Sequence, residues 1–111
     1  MKVIEQKIVV YEDKNGKEPF YLWLNSLKDK ILKQIVYKRL TRVREGNFGD
    51  CKSLKDDIFE LRIHYGSGHR IYIGRLEECF VILLSAGDKS TQVKDIKIAR
   101  VYFDDFKKAS R

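Results

Sequence analysis

The sequence predicts an α+β domain, with helices packed on one face of a mostly antiparallel sheet in the order β-α-α-β-β-β-β-α. Three observations lead there. Apolar residues recur at helical spacing in three segments, and they alternate or run together in five others. No repeat, low-complexity stretch or linker divides the 111 residues, and there is a single proline, so one domain is expected over 1–111.

Val3 to Tyr11 alternates as a strand does, and "EDKNGKEP" then supplies turn chemistry at Asn15-Gly16 and a proline suited to a helix's first turn. The helix that follows runs to about Leu27, with Phe20, Trp23, Leu24 and Leu27 on its apolar face. A second helix, about Asp29 to Glu45, carries Leu32, Val36, Leu40 and Val43 on one stripe and is ended by Gly46. Its other positions hold Lys30, Lys33, Lys38, Arg39, Arg42 and Arg44, a face that is either simply solvated or in contact with RNA. Four strands come next: about Cys51 to Leu54, Ile58 to Tyr65, His69 to Leu76, and Cys79 to Ser85. The last is nearly all apolar, as a strand buried on both faces must be, and is expected at the sheet's centre. A closing helix starts near Thr91, with Ser90 or Thr91 as its N-cap and Ile96, Ala99, Phe103 and Phe106 turned inward.

The formal charge of +7 favours nucleic acid, an anionic surface or an acidic protein as partner. Cys51 and Cys79 are far apart and form no Cys-x-x-Cys or Cys/His spacing, so neither a metal nor another cofactor is expected. The N-terminal stretch has no signal-peptide pattern and the longest apolar run is too short to span a bilayer. A cytoplasmic protein with no membrane partner is expected.

The segment "IHYGSGHRIYIGR" contains both histidines. With Gly66, Ser67 and Gly68 as its turn, His64 would face Arg70, Arg62 would face Tyr72, and Glu60 would face Gly74. Phe59, Leu61, Ile63 and Tyr65 then form the core side with His69, Ile71 and Ile73, which makes His69 structural. Glu60, Arg62, His64, Arg70 and Tyr72 share the other, expected to be exposed. Arginines grip phosphate through paired donors, while histidine or glutamate can move a proton near neutral pH. A tyrosine beside them could stack on a base. These are the parts needed to cleave RNA by attack of a ribose 2′-hydroxyl on its own phosphate. The competing account is a set of cross-strand ion pairs on a solvated sheet.

The ordered set "WLNSL" (Trp23 to Leu27), "GDCKSL" (Gly49 to Leu54), "IFELRIHYGSGHRIY" (Ile58 to Tyr72) and "ILLSAGDKSTQVKDIKIA" (Ile82 to Ala99) resembles the RelE/ParE superfamily of type II toxins. It looks closest to the HigB-like branch of addiction-module killer proteins, over about Val3 to Lys107. The resemblance implies a RelE-like fold and a small basic toxin that arrests growth, commonly by cutting mRNA on the ribosome. It also implies an antitoxin encoded beside it, in this branch a helix-turn-helix DNA-binding protein. Carried over by position, Arg70 matches a basic residue that acts on the scissile phosphate, and Lys89 and Arg62 fall on further basic positions. Glu60 stands where a RelE-type nuclease has a lysine, and the tyrosine of the final segment has no counterpart, its place falling near Asp95. His64 is then the first candidate for proton transfer and Glu60 the second, with Tyr72, Lys30, Lys33, Lys38 and Arg42 as RNA contacts. Two alternatives share the basic composition: a ParE-like gyrase inhibitor without nuclease activity, and a nucleic-acid-binding module without catalysis.

Overall fold

The computed structural model describes residues 3–109. The chain runs β1 (Lys7–Val10), α1 (Pro19–Ser26), α2 (Lys30–Arg44), β2 (Cys51–Ser53), β3 (Ile58–Ile63), β4 (His69–Leu76), β5 (Phe80–Asp88), a 3₁₀ turn (Lys89–Thr91) and α3 (Gln92–Ala109). Pro19 opens α1, where a missing amide hydrogen costs nothing. Asp29 opens α2 by accepting from the Ile31 and Leu32 amides at 2.9 and 3.1 Å. Gly46 closes α2 in the left-handed region, at φ 93°.

The five strands form one sheet in the order β1-β5-β4-β3-β2. Every pairing is antiparallel except that of β1 with β5, which is parallel. β5 is an interior strand as its apolar sequence requires, but β4 holds the middle of the sheet. β1 is shorter than the alternation suggests. The Gln6 amide donates to the Arg44 carbonyl at the end of α2 (2.8 Å), which takes the chain off the β5 ladder before Lys7.

The pleat separates two cores. Leu61, Ile63, Ile71 and Ile73 turn to one side and pack with Phe20 and Leu24 of α1 and Leu32, Val36, Leu40 and Val43 of α2. Ile58, Tyr72, Ile82 and Leu84 turn to the other side and meet Ala99 and Phe103 of α3. The expectation of helices on one face is therefore corrected: α1 and α2 cover one side and α3 the other. The cause lies in β4 and β5, whose residues are apolar on both sides and need two covers. β5 continues to Asp88, whose carboxylate accepts from the Ser90 amide at 2.9 Å and caps the 3₁₀ turn, and α3 begins at Gln92, one residue after the expected start near Thr91. Among the described residues no helix is long and apolar enough to cross a membrane.

The β3–β4 register differs by two residues from the sequence expectation. Arg62 pairs with Arg70, Glu60 with Tyr72 and Ile58 with Gly74, leaving a five-residue loop, 64–68. Gly66 and Gly68 adopt φ of 58° and 89°, and the Gly68 amide closes the turn on the Tyr65 carbonyl at 3.0 Å. A two-residue slip preserves the pleat, so each side chain keeps its expected face.

Candidate functional site

The face that holds Glu60, Arg62, Arg70 and Tyr72 is largely covered, because the start of α3 lies over it. Glu60 and Tyr72 are 0% exposed, which corrects the expectation of an open sheet face. Tyr72 consequently offers no ring surface for a base to stack on. Burial first, then the neighbouring Glu60 and Asp95 carboxylates, push its phenol well above the ordinary value. At this point the β4–β5 register shifts at a β-bulge, with Tyr72 opposite Ser85 and Ile73 opposite Leu83.

A buried carboxylate must be paired, and Glu60 is. Arg62 Nε donates to Glu60 Oε1 at 3.2 Å, Gln92 Nε2 donates to Oε2 at 2.9 Å, and Arg70 Nε lies 3.6 Å from Oε1 as an ion pair longer than a hydrogen bond. The Arg70 side chain is 15% exposed and that of Arg62 34%. Arg62 thus spends Nε on a hydrogen bond to Glu60, whereas Arg70 Nε, beside the same oxygen, makes none. Gln92 belongs to the first turn of α3, which is seated closely on β5: a methyl group at Gly87 would lie 2.0 Å from Asp95 Oδ2. Asp95 is itself held by the Thr91 hydroxyl, which donates to Oδ2 at 2.5 Å.

Above this layer is a cavity of about 420 Å³, lined by Arg62 and Ile63 of β3, the loop from His64 to Gly68, His69 and Arg70 of β4, and Lys89. Its charged side chains are all basic. Lys89 reaches it because its amide donates to the Gly68 carbonyl (3.3 Å), binding the 3₁₀ turn to the hairpin turn. A second cavity, of about 290 Å³, shares Arg62, Ile63, His64 and Tyr65 and adds Lys38, Arg39, Arg42, Ile35 and Asp50. The two meet at His64. Its side chain is 77% exposed and its Nε2 lies 2.5 Å from Asp50 Oδ2, which leaves Nδ1 of the ring free of that contact. The His64 contact, ahead of the nearby arginines, holds the Asp50 carboxyl below its ordinary value.

The structure thus gathers Arg62, Arg70, His64 and Lys89 around one cavity, with Glu60 beneath it, and brings Lys38 and Arg42 to the adjoining one. Lys30 and Lys33 line neither. His69 sits on the α1 side of the pleat, its ring 6.5 Å from that of Trp23. Three participants escaped the sequence reading. Asp50 carries no periodic signal and meets His64 only because β2 pairs with β3. Gln92 reads as an ordinary helix-start residue. Arg39 reads as part of a charged helix face, yet it donates to the carbonyls of Phe48, Asp50 and Arg62 at 2.6 to 3.2 Å and fixes the β2–β3 end of the site.

No family model matches the chain. It is 50% identical, over 82 residues, to an uncharacterized protein of Haemophilus influenzae; the match covers 74% of this chain and 83% of that protein. The chain belongs to the same family as that protein.

Proposed function

We propose that this chain is the toxin of a type II toxin-antitoxin pair, of the RelE/ParE kind and HigB-like, and that it cleaves mRNA on the ribosome. The observation that carries the reading is the cavity at the hairpin, in which Arg62, Arg70, His64 and Lys89 converge without a lining carboxylate. Such a pocket suits one phosphodiester, and the adjoining Lys38 and Arg42 suit the next phosphate along a single strand.

The chemistry assigns a role to each group. A base takes the proton of the ribose 2′-hydroxyl, whose oxygen then attacks the adjacent phosphorus. The bond to the 5′-oxygen breaks, that oxygen gains a proton, and a cyclic phosphate remains on the other fragment. His64 is placed for the proton transfer, with Asp50 orienting its ring as a carboxylate orients a catalytic imidazole. Arg62 and Arg70 stabilise charge developing on the phosphoryl oxygens, a contribution of about a hundred- to thousand-fold in rate per donor. Lys89, exposed at the cavity rim, contributes charge from the α3 side. The partner is an antitoxin, a helix-turn-helix DNA-binding protein encoded in the adjacent gene.

Induced expression without the adjacent gene, followed by mapping of mRNA 5′ ends and of plasmid supercoiling, tests this. New 5′ ends with supercoiling unchanged are expected. Altered supercoiling with intact mRNA would replace the reading with gyrase inhibition, and unaffected growth would remove the toxin altogether.

A further inference from the structure

Among the described residues, Glu60 is the one carboxylate that ion-pairs with both arginines, and it does not line the cavity. It accepts a hydrogen bond from Arg62 Nε and faces Arg70 Nε as a longer ion pair, and no ion pair engages the terminal nitrogens of either arginine among the described residues. Gln92 fixes its other oxygen from α3. An arginine held at Nε retains its outer donors as a fork whose direction is set by the holder. Two such forks on paired residues of adjacent strands converge on one space.

We infer that Glu60 is a positioning residue, whose buried carboxylate, anchored by Gln92, aims Arg62 and Arg70 together at a single phosphate in the hairpin cavity. The inference deepens the nuclease reading and rests on it for its kinetic consequence. Electrostatics alone gives the opposite expectation. Glu60 subtracts one charge from a basic face, so its removal should strengthen attraction for a polyanion. Positioning and simple charge compensation therefore diverge in sign. Under positioning, Glu60→Gln lowers kcat while KM for ribosome-bound mRNA stays level or falls. Under compensation, KM falls and kcat is kept. A misplacement on the order of an ångström at a reacting phosphate costs about a hundredfold, so a drop of ~10- to 100-fold in kcat is expected.

The test measures cleavage on programmed ribosomes for the wild type, Glu60→Gln and Gln92→Ala, together with the arginine Nε–H signals by NMR. Gln92→Ala leaves both ion pairs and frees one carboxylate oxygen, so it should show the same split more weakly; it keeps the inference testable if Glu60→Gln does not fold. The wild type should give an Arg62 Nε–H signal protected by its hydrogen bond to Glu60 and an Arg70 Nε–H signal shifted by the same carboxylate, and both should move in folded Glu60→Gln. Unchanged kcat with the Nε–H signals retained overturns the inference. If the wild type cuts no RNA, the nuclease reading falls and inorganic phosphate becomes the probe. Positioning then predicts that phosphate perturbs both Nε–H signals in the wild type and binds more than tenfold more weakly to Glu60→Gln. Equal or tighter phosphate binding by that variant overturns it in this arm as well.

Discussion

Placing α3 on the sheet face opposite α1 and α2 has a direct mechanical consequence at Gly74. This β4 residue pairs with Ile58 and Ile82, and the ring of Phe103 occupies the place where a side chain would stand. A methyl group built at Gly74 would sit 2.5, 2.6 and 2.7 Å from three ring carbons of Phe103. Carbon pairs are comfortable at about 3.5–4.0 Å, so the ring must withdraw by roughly 1 Å. Phe103 is 1% exposed among Tyr72, Ile82, Leu84 and Ala99 and has little room to do so. Overpacking of this kind costs about 1–3 kcal/mol, against a gain of about 0.5–1 kcal/mol from replacing a strand glycine by alanine. Gly74→Ala should therefore destabilise by about 1–2 kcal/mol, a fall in Tm of about 4–8 °C for a domain of this size. Scanning calorimetry measures it. Combined with Phe103→Leu, the new methyl would fill space that the ring vacates, and the double variant should be more stable than additivity allows by at least about 0.5 kcal/mol. A Gly74→Ala protein more stable than the wild type, or strictly additive costs, would refute the packing of α3 described above.

Arg39→Lys should cost about 1–3 kcal/mol in chemical denaturation, because one ammonium cannot serve the carbonyls of Phe48, Asp50 and Arg62 together; an unchanged midpoint would show the clamp to be idle. Asp29, Asp50 and Asp88 all have carboxyls held below the ordinary value of 3.8, chiefly by hydrogen bonds from the Leu32 amide, His64 and Ser90 respectively. Their folded values lie below their unfolded ones, so this stability is fully present above about pH 4 and is lost as the pH falls through the lower folded values; a Tm constant from pH 5 to pH 2 would contradict the assignment. His64→Ala should abolish most cleavage and lower Tm only slightly, since the ring is exposed and gives up a single contact, with Asp50. His69→Ala should lower Tm modestly with little effect on cleavage, since that ring packs beside Trp23.

Much of this was legible because the pleat has only two sides. The even-numbered set Glu60, Arg62, Arg70 and Tyr72 shares a face under either register, so a two-residue slip in the hairpin left the grouping intact. The slip itself was not legible. Tyr65 looks like a strand residue, but its hydroxyl donates to Asp29 at 2.8 Å, a contact with the α2 cap that no local pattern announces. Exposure of the face was misjudged for a related reason. The alternating charges of β3 read as solvent-facing, whereas Glu60 is ion-paired with Arg62 and Arg70 and hydrogen-bonded by Gln92, and so tolerates the cover of α3. The β2–β3 pairing that brings Asp50 to His64 is likewise a long-range fact. The burial of Arg70 also changes how it must be tested. Truncation to alanine would leave Glu60 buried with one cation fewer, a loss of several kcal/mol by itself, so the informative substitution retains the charge.

Arg70→Lys is that substitution, and its cleavage rate relative to the wild type, measured with purified protein on mRNA-programmed ribosomes, addresses the central claim. A lysine preserves the positive charge but loses the fork that presents two donors to one phosphate. The account predicts that the wild type produces 5′-hydroxyl fragments and that folded Arg70→Lys does so at least about a hundredfold more slowly. A folded Arg70→Lys protein that cuts at the wild-type rate, or a wild type that leaves the mRNA whole, would contradict it.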